Sequence, residues 1–413
     1  MTDTLKLHLS GPTNPLLEAS IKITGSKSET NRSLLLSALY PNIGIENLSN
    51  SDDAQVMQQG LAINKGVVDI HHAGTAMRFL TGYFASQEGK VVTLTGSQRM
   101  TERPIEILVD ALRSLGAHID YVQNEGYPPI NIKGKKLQKD KVSLPANVSS
   151  QYISSLLLIA PQLQNGLELE LIGKITSVPY IKMTLGLLEE IGVISSFEGN
   201  VIKVSPAASV PDTTLVVESD WSSASYFYSI VALANVGTQI TLSAYKQNSL
   251  QGDSVLSQIY RSFGVDTHFG EHEITLMKTD RKISAEHNFD LANAPDIAQT
   301  IAVTCFGLGV GCHLTGLHTL KIKETDRLVA LDMELSKFGA AIAVTDKTLT
   351  LRTSKEITAE VTVDTYNDHR MAMAFAPLAM KTSFYVNDAD VVSKSYPDFW
   401  KDLMHLQFQV TEL

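Results

Sequence analysis

The stretch YISSLLLIAPQLQNGLELELIG, residues 152–173, changes its hydrophobic pattern at a single glycine. Before Gly166 the apolar residues have the spacing of a helix, and after it they alternate as in a strand. A glycine just past a helix accepts the left-handed conformation that ends the helix. The stretch therefore predicts a helix, a turn and a strand.

The same pattern recurs along the chain. Its turn lies at Gly44, Gly89, Gly166, Gly237 and Gly311, with Thr382 where a sixth glycine would stand. From Gly89 onwards these turns are 71 to 77 residues apart. A second helix ends 22 to 28 residues after the first turn in five copies, at Gly66, Gly116, Gly192, Gly264 and Gly339. Because a fixed period marks a repeat architecture, we predict six copies of a helix–strand–helix–strand–strand unit, the first shortened.

Length and composition limit the class of protein. A chain of 413 residues exceeds what one hydrophobic core usually fills, so two domains of three copies are expected. A net charge of −10 argues against a general nucleic-acid or anionic-membrane binder. Two cysteines are too few for a disulfide framework or a zinc set. Since the sequence has no signal-peptide core and no long apolar run, we expect a cytoplasmic protein.

Positive charges collect where the predicted helices begin. Serine, threonine, asparagine and aspartate there are explained as N-caps, but the helix dipole disfavours lysine and arginine at an N-terminus. Nine cations lie in or beside first turns: Lys27, Arg32, Arg78, Arg99, Arg103, Lys323, Arg327, Arg370 and Lys394. A helix N-terminus and a cation together bind anions. We therefore predict a ligand with several negative charges.

Three acidic residues, Asp296, Glu324 and Asp368, lie among these cations. They form ion pairs or transfer protons at an anionic substrate, and the residues alone leave both interpretations open. The adjacent His71 and His72 suggest a metal site, but the sequence offers no third ligand. We therefore expect no metal.

At these helix starts the sequence resembles the enolpyruvyl transferases, and most closely the EPSP synthase family. The matching stretches run in family order from residue 25 to residue 400. They are GSKSETNRSLLLSAL (25–39), AGTAMRFLTG (73–82), RMTERPI (99–105), VSSQY (148–152), SDWSSASYF (219–227), PDIAQTIAV (295–303), KIKETDRL (321–328), YNDHRMAMAFA (366–376) and KSYPDFW (394–400).

The resemblance implies an α/β (α+β) fold, a two-domain inside-out α/β barrel with three βαβαββ units in each domain. The helix N-termini of both domains would face a cleft. In this family the N-terminal strand joins the second half of the chain. The implied domains are therefore residues 1–20 with 220–413, and residues 21–219.

The family's activity is the transfer of the enolpyruvyl group of phosphoenolpyruvate to the 5-hydroxyl of shikimate 3-phosphate, with release of phosphate. The reaction proceeds by addition and elimination through a tetrahedral intermediate, in the shikimate pathway of chorismate and aromatic amino-acid biosynthesis. The resemblance implies no metal or organic cofactor. It also implies a cytoplasmic monomer whose partners are these two small substrates, with no nucleic acid and no membrane.

The resemblance also assigns site residues. For shikimate 3-phosphate these are Lys27, Ser28, Arg32, Ser149, Ser150, Gln151, Ser177, Tyr180, Asp296, Thr319 and Lys323. For phosphoenolpyruvate they are Lys27, His72, Gly74, Arg78, Arg99, Gln151, Glu324, Arg327, Arg370 and Lys394. As catalytic residues, Asp296 would be the base at the 5-hydroxyl, Glu324 the acid at the methylene carbon, and Lys27 a proton-transfer group at the bridging oxygen.

The chain departs from the family pattern at four positions, and at the first of them His71 stands where the family usually has glycine. His72 and Thr319 replace residues that are usually asparagine, and Phe79 replaces a common proline. The His72 position lies near phosphoenolpyruvate in the family, so the role of an imidazole there is open.

Two other functions remain as alternatives. The related UDP-N-acetylglucosamine enolpyruvyl transferases carry a reactive cysteine in the N-terminal domain, whereas residues 1–304 contain none. A non-catalytic sensor of phosphorylated metabolites would need the cations. It would not need Lys27, Asp296 and Glu324 together.

Overall fold

The computed structural model describes residues 5–14, 16–146, 149–173, 175 and 178–413. The chain forms two compact units. Unit 1 comprises Met1–Thr24 and Glu218–Leu413, and unit 2 comprises Gly25–Val217. The chain thus passes between the units after residues 24 and 217, whereas the resemblance implied residues 20 and 219.

The elements up to residue 133 are β1 (Leu7–Ser10), β2 (Glu18–Ile21), α1 (Lys27–Leu39), β3 (Ile43–Glu46), α2 (Asp52–Leu61), β4 (Lys65–Asp69), α3 (Gly74–Ser86), β5 (Val91–Thr95), α4 (Gln98–Thr101), α5 (Glu106–Leu115), β6 (His118–Tyr121) and β7 (Ile130–Lys133). The remainder of unit 2 contains β8 (Lys141–Pro145), α6 (Ser150–Ile159), β9 (Leu167–Ile172), α7 (Val178–Glu190), β10 (Ser195–Glu198), β11 (Val201–Val204) and β12 (Thr213–Val216).

Unit 1 continues with α8 (Trp221–Leu233), β13 (Gln239–Ser243), α9 (Leu256–Arg261), β14 (Val265–Phe269), β15 (Glu273–Lys278), β16 (Glu286–Asp290), α10 (Ala298–Leu308), β17 (Gly311–Thr315), α11 (Arg327–Lys337), β18 (Ile342–Val344), β19 (Leu349–Leu351), β20 (Val361–Val363), α12 (His369–Phe375), β21 (Phe384–Val386), α13 (Phe399–His405) and β22 (Gln409–Glu412). Short 3₁₀ turns lie at Ala160–Gln162, Gly252–Val255, Pro295–Ile297, Leu320–Ile322, Ala376–Met380 and Ala389–Lys394.

The region around Gly166 folds as its sequence predicts. Helix α6 and a 3₁₀ turn precede this glycine, and β9 follows it with alternating buried and outward residues. Gly166 has a φ of +73°. A side chain there would also collide with the backbone, since an added Cβ would lie 2.1 Å from the carbonyl oxygen of Val204. Both restrictions require glycine at this turn.

The repeat appears in the sheets. Strands β4 and β5 are parallel and connected through α3, whereas β7 pairs antiparallel with both β5 and β6, which gives the order β4-β5-β7-β6. The same order recurs in β8-β9-β11-β10 and in β16-β17-β19-β18. The predicted α/β repeat is therefore confirmed, and in these three copies a first strand completes the βαβαββ unit.

Strands from distant parts of the chain complete the other sheets. The shortened first copy pairs β3 with β12 in parallel, as a two-stranded sheet. In unit 1, β2 lies parallel to β13, and β1 lies between β21 and β22 and is antiparallel to both. The N-terminal segment therefore belongs to the sheets of unit 1. The described part of the chain includes no helix both long and apolar enough to cross a membrane.

Candidate active site

Arg327 is the first residue of α11, and its side chain is only 2% exposed. It lies at the centre of a group of charged side chains that we call the unit 1 cluster, which also contains Asp296, Lys323, Glu324, Asp368 and Arg370. Asp326 caps this helix by accepting hydrogen bonds from the main-chain N–H groups of Leu328 and Val329. The Arg327 guanidinium donates to Asp296 Oδ1 at 2.8 Å, to Glu324 Oε2 at 2.8 Å and to Asp368 Oδ2 at 2.6 Å. One buried arginine thus joins all three acidic residues singled out in the sequence.

Asp296 lies on the 3₁₀ turn Pro295–Ile297 that leads into α10. Lys323 Nζ is 3.2 Å from its Oδ1, and Arg370 Nη2 is 3.6 Å from its Oδ2. Burial alone raises the pKa of Asp296, but Lys323, Arg370 and Arg327 outweigh burial and hold this pKa well below its usual range. Asp296 is therefore a buried carboxylate that its cations keep ionised.

Asp368 and Lys394 fix the loop before α12. Asp368 caps this helix by accepting from the main-chain N–H of Arg370 at 2.9 Å. Lys394 Nζ donates to the main-chain oxygen and to Oδ1 of Asn367, both at 2.7 Å. The loop thus presents Asp368 towards Arg327 and holds Lys394 beside it.

Thr319 precedes the 3₁₀ turn Leu320–Ile322. Its Oγ1 is buried and has no hydrogen-bond partner in the part of the chain that the structure describes. A buried hydroxyl without a partner is unusual, because desolvation is costly unless a hydrogen bond compensates for it. This hydroxyl therefore keeps an unused hydrogen-bonding capacity within the described part of the chain.

In unit 2, Lys27 is the first residue of α1 and faces an acid that the sequence did not single out. Its Nζ is 3.3 Å from Oδ2 of Asp53, in the first turn of α2. His72 Nε2 is 3.9 Å from the other oxygen, Oδ1. The Asp53 side chain is 8% exposed, whereas His72 is 41% exposed. Asp53 thus brings Lys27 and His72 together.

Arg32 is buried on the second turn of α1 and is held by neutral groups. It donates to the main-chain oxygen of Ser28 at 2.7 Å, to Thr184 Oγ1 at 2.8 Å and to Ser154 Oγ at 2.9 Å. Its guanidinium also lies over the ring of Phe79, 5.2 Å from the centroid. Burial lowers the pKa of Arg32 to about 10, so it remains charged at neutral pH.

Arg78, on α3, is the second buried arginine of unit 2. It donates to the main-chain oxygens of Gly74 at 3.3 Å and Pro104 at 3.1 Å. Burial, with a contribution from nearby Arg103, lowers the pKa of Arg78 to about 10. Gly74 admits Arg103 to the start of α3, since an added Cβ would lie 2.7 Å from Arg103 Nη1.

The remaining predicted residues of unit 2 have different environments. Ser149 caps α6 by accepting from the main-chain N–H of Gln151 at 3.3 Å, and Gln151 Nε2 donates to Thr75 Oγ1 at 3.1 Å. Tyr180 lies beside Arg32, with its ring centroid 5.9 Å from the guanidinium carbon.

Arg99 is 69% exposed and pairs with Glu102 at 3.2 Å. Three of the predicted residues complete the set: Ser28 and Ser150 are half-buried, and Ser177 lies outside the described residues.

Sequence reasoning missed Asp53 and Asp253. Each lies at the start of the second helical segment of its copy, where an acidic residue is explained by the helix dipole alone. Neither stands in a motif that marks it, so only the structure reveals their partners. Within the described ranges, no group of three or more histidine, cysteine, aspartate or glutamate side chains is arranged to hold a metal.

Comparison with solved structures defines the class of fold. The chain is similar to EPSP synthase from Acinetobacter baumannii, with a TM-score of 0.81 and 21% identity over 99% of this chain and 100% of that chain. It is also similar to the enolpyruvyl transferase NikO from Streptomyces tendae, with a TM-score of 0.76 and 13% identity over 100% of this chain and 99% of that chain. The chain has the two-domain inside-out α/β fold of the enolpyruvyl transferases.

The sequence comparisons are more specific. The model of the EPSP synthase family, 3-phosphoshikimate 1-carboxyvinyltransferase, matches residues 42–403. A relative from Bacteroides fragilis (strain YCH46), named 3-phosphoshikimate 1-carboxyvinyltransferase, is 43% identical over 98% of this chain and 99% of its own length. The chain belongs to the EPSP synthase family, a family of transferases, and the predicted resemblance is confirmed.

Proposed function

We propose that this protein transfers the enolpyruvyl group of phosphoenolpyruvate to the 5-hydroxyl of shikimate 3-phosphate and releases phosphate. The observation that carries the proposal is the unit 1 cluster, in which Asp296 and Glu324 share Arg327 beside Lys323 and Arg370. It combines cations for anionic substrates with carboxylates for proton transfer. Membership of the EPSP synthase family supports the same reaction.

Asp296 is the proposed base at the 5-hydroxyl. In the free protein its cations hold the pKa low, and a carboxylate of low pKa is a weak base. An anionic substrate bound to Lys323, Arg370 and Arg327 would offset their charge and raise the pKa of Asp296. Substrate binding would thereby strengthen the base at the moment when it is needed.

Glu324 is the proposed acid at the methylene carbon, and Arg327 holds its Oε2. The Glu324 side chain is 33% exposed, in contrast to the buried Asp368 on the same arginine, so it is the more accessible of the two. Lys27 is the proposed proton-transfer group at the bridging oxygen, with Asp53 as its partner. Addition of the hydroxyl to the enolpyruvyl carbon followed by elimination of phosphate would give the enol ether and regenerate the double bond.

The binding roles divide by substrate. For shikimate 3-phosphate we propose Lys27, Ser28, Arg32, Ser149, Ser150, Gln151, Ser177, Tyr180, Asp296, Thr319 and Lys323. For phosphoenolpyruvate we propose Lys27, His72, Gly74, Arg78, Arg99, Gln151, Glu324, Arg327, Arg370 and Lys394. The Thr319 hydroxyl, which has no hydrogen-bond partner among the described residues, supports the first assignment, and the exposed imidazole of His72 is a donor suited to the second. We further propose that the protein acts as a monomer in the cytoplasm, which light scattering and cell fractionation can check.

Phosphate release measured with phosphoenolpyruvate and purified protein tests the activity. We expect release with shikimate 3-phosphate, and none with UDP-N-acetylglucosamine or with unphosphorylated shikimate at the same concentration. Release with the UDP-sugar instead would assign the protein to the cell-wall branch. Tight binding of both proposed substrates without any release would favour the sensor.

A further inference from the structure

Asp253 is a buried acid that the proposed reaction does not use. It lies in the 3₁₀ turn Gly252–Val255, which leads into α9, and it is 8% exposed. Its Oδ2 accepts a short hydrogen bond from Ser222 Oγ, at the start of α8. A carboxyl group in such a position must have its charge compensated or bind a proton.

Ser222 connects Asp253 to the cluster around Asp296. Arg370 Nη2 donates to Ser222 Oγ at 3.2 Å. The same Nη2 is 3.6 Å from Asp296 Oδ2, and Nη1 donates to the main-chain oxygen of Asp296 at 3.4 Å. A continuous path therefore runs from Asp253 through Ser222 and Arg370 to Asp296.

The groups that face Asp253 are mainly acidic. Asp220 faces it from the N-cap of α8, Asp296 from the turn before α10, and Arg370 from α12. Burial raises the pKa of Asp253 to about 7, with Asp296 and Asp220 adding to the rise and Ser222 and Arg370 opposing it. An anion bound to Arg370 would offset the cation that opposes the rise, so Asp253 would hold a proton more tightly.

We propose that Asp253 is a positioning residue for Arg370 and takes up a proton when the anionic substrate binds. The inference rests on the proposed function, in which Arg370 holds phosphoenolpyruvate. The proton comes from solvent and adds to Oδ1, so Oδ2 accepts from Ser222 in both states. Arg370 thus keeps its position while the charge beside it changes by one. By linkage, phosphoenolpyruvate binds more tightly to the form in which Asp253 is protonated.

The test is the pH dependence of the KM for phosphoenolpyruvate at saturating shikimate 3-phosphate, in wild type and Asp253→Asn. The titration of the substrate's own phosphate is common to both proteins and cancels in their ratio. Between about pH 6 and about pH 8, we expect the wild-type KM to rise by up to about tenfold relative to that of the variant. The kcat ratio should stay constant over the same range.

Ser222→Ala separates this role from a merely structural one. It removes the hydrogen bond that Ser222 accepts from Arg370, so its KM should be higher at every pH. It also removes the hydrogen bond that holds the pKa of Asp253 down, so the ratio of its KM to that of Asp253→Asn should vary less between about pH 6 and about pH 8 than the wild-type ratio does. The exposed Asp280 provides the control, and Asp280→Asn should follow wild type. A wild-type profile in Asp253→Asn, or a pH-dependent ratio confined to kcat, would overturn the inference. Absence of phosphate release from wild type would instead overturn the proposed function, and this inference with it.

Discussion

The two units bury arginines in opposite ways. In unit 1, Arg327 is surrounded by Asp296, Glu324 and Asp368, and these carboxylates outweigh burial and raise the pKa of Arg327. In unit 2, hydroxyl and carbonyl oxygens hold Arg32 and Arg78, and burial lowers the pKa of both. Among the described residues, no carboxylate oxygen comes within salt-bridge distance of Arg32 or Arg78.

From this difference we propose that the buried arginines of the two units have different roles. Charges that are balanced before a ligand arrives hold carboxylates in place, which suits proton transfer. Cations held by neutral dipoles keep their positive potential, which suits the attraction of anions. Substitution of a unit 1 carboxylate should therefore lower kcat most. Substitution of a buried arginine should lower the free energy of unfolding more where it leaves carboxylates unpaired than where it leaves neutral oxygens unpaired.

The largest effect should come from Asp296→Asn. If the unit 1 carboxylates carry proton transfer, kcat should fall by about 10²- to 10⁴-fold, because the amide cannot accept the proton. Calorimetry should still show binding of shikimate 3-phosphate, since the amide oxygen can accept from Lys323. Asp280→Asn serves as the control, and a kcat within about twofold of wild type in Asp296→Asn would remove the proposed base.

Arg327→Met should be the most destabilising change. It leaves three carboxylates close together without their shared cation, and breaking a buried ion pair on one side costs about 3–5 kcal/mol. Urea unfolding followed by circular dichroism measures this loss. The exposed Arg352 allows a matched control, Arg352→Met, that should change the free energy of unfolding by about 0.5 kcal/mol or less.

Asp253→Asn should stabilise the protein in a pH-dependent way. Burial raises the pKa of Asp253 from 3.8 to about 7, so between these values the folded state keeps a proton that the unfolded chain has released. The stability that this carboxyl contributes is therefore present below about pH 4 and is lost as pH rises to about 7. The variant should gain about 2–4 kcal/mol above pH 7 and almost nothing near pH 4. Melting temperatures of both proteins between about pH 4 and about pH 8 check this, and a gain independent of pH would contradict it.

Arg32→Met should be the mildest of the four. It leaves neutral acceptors unpaired instead of carboxylates, so we expect a loss of about 1–3 kcal/mol. Arg99→Met, at an exposed surface pair, is the matched control in unit 2. If Arg32→Met and Arg327→Met lowered the free energy of unfolding equally, the difference between carboxylate and neutral partners would have no effect on stability.

The fold follows largely from the sequence because the repeat places a glycine after most of its helices, although Gly44 and Gly311, which were predicted as turns, lie within β3 and β17. Gly166 and Gly116 adopt the positive φ that this interpretation needs. Periodicity could not identify the partner of β3, however, because β12 lies about 170 residues away and its hydrophobic pattern suits several sheets. Strand pairing over such distances depends on how the whole unit packs.

The candidate site could be predicted from the sequence less completely than the fold. The same interpretation applied to all nine cations, because each lies at or beside the start of a predicted helix. In the structure Arg32 and Arg78 are buried, whereas Arg99 is exposed. Burial depends on the neighbouring helices, about which the local sequence says nothing. The resemblance selected Asp296 and Glu324, and the cations around Asp296 account for its ionised state. Asp53 and Asp253 needed the structure, because their partners come from other helices.

The pairing of β1 with β22 has a consequence for synthesis on the ribosome. Every residue of unit 2, including β12, has been made once the chain reaches Val217, so its sheets can close early. The sheet of unit 1 that contains β1 cannot be completed until later, because β1 lies between β21 and β22 and β22 ends at Glu412. Strand β1 is thus made before every other described strand of unit 1 but is one of the last to find its partners. Until β21 and β22 have been made, the backbone N–H and C=O groups along both edges of β1 are unpaired, and we expect chaperones to bind this segment during synthesis.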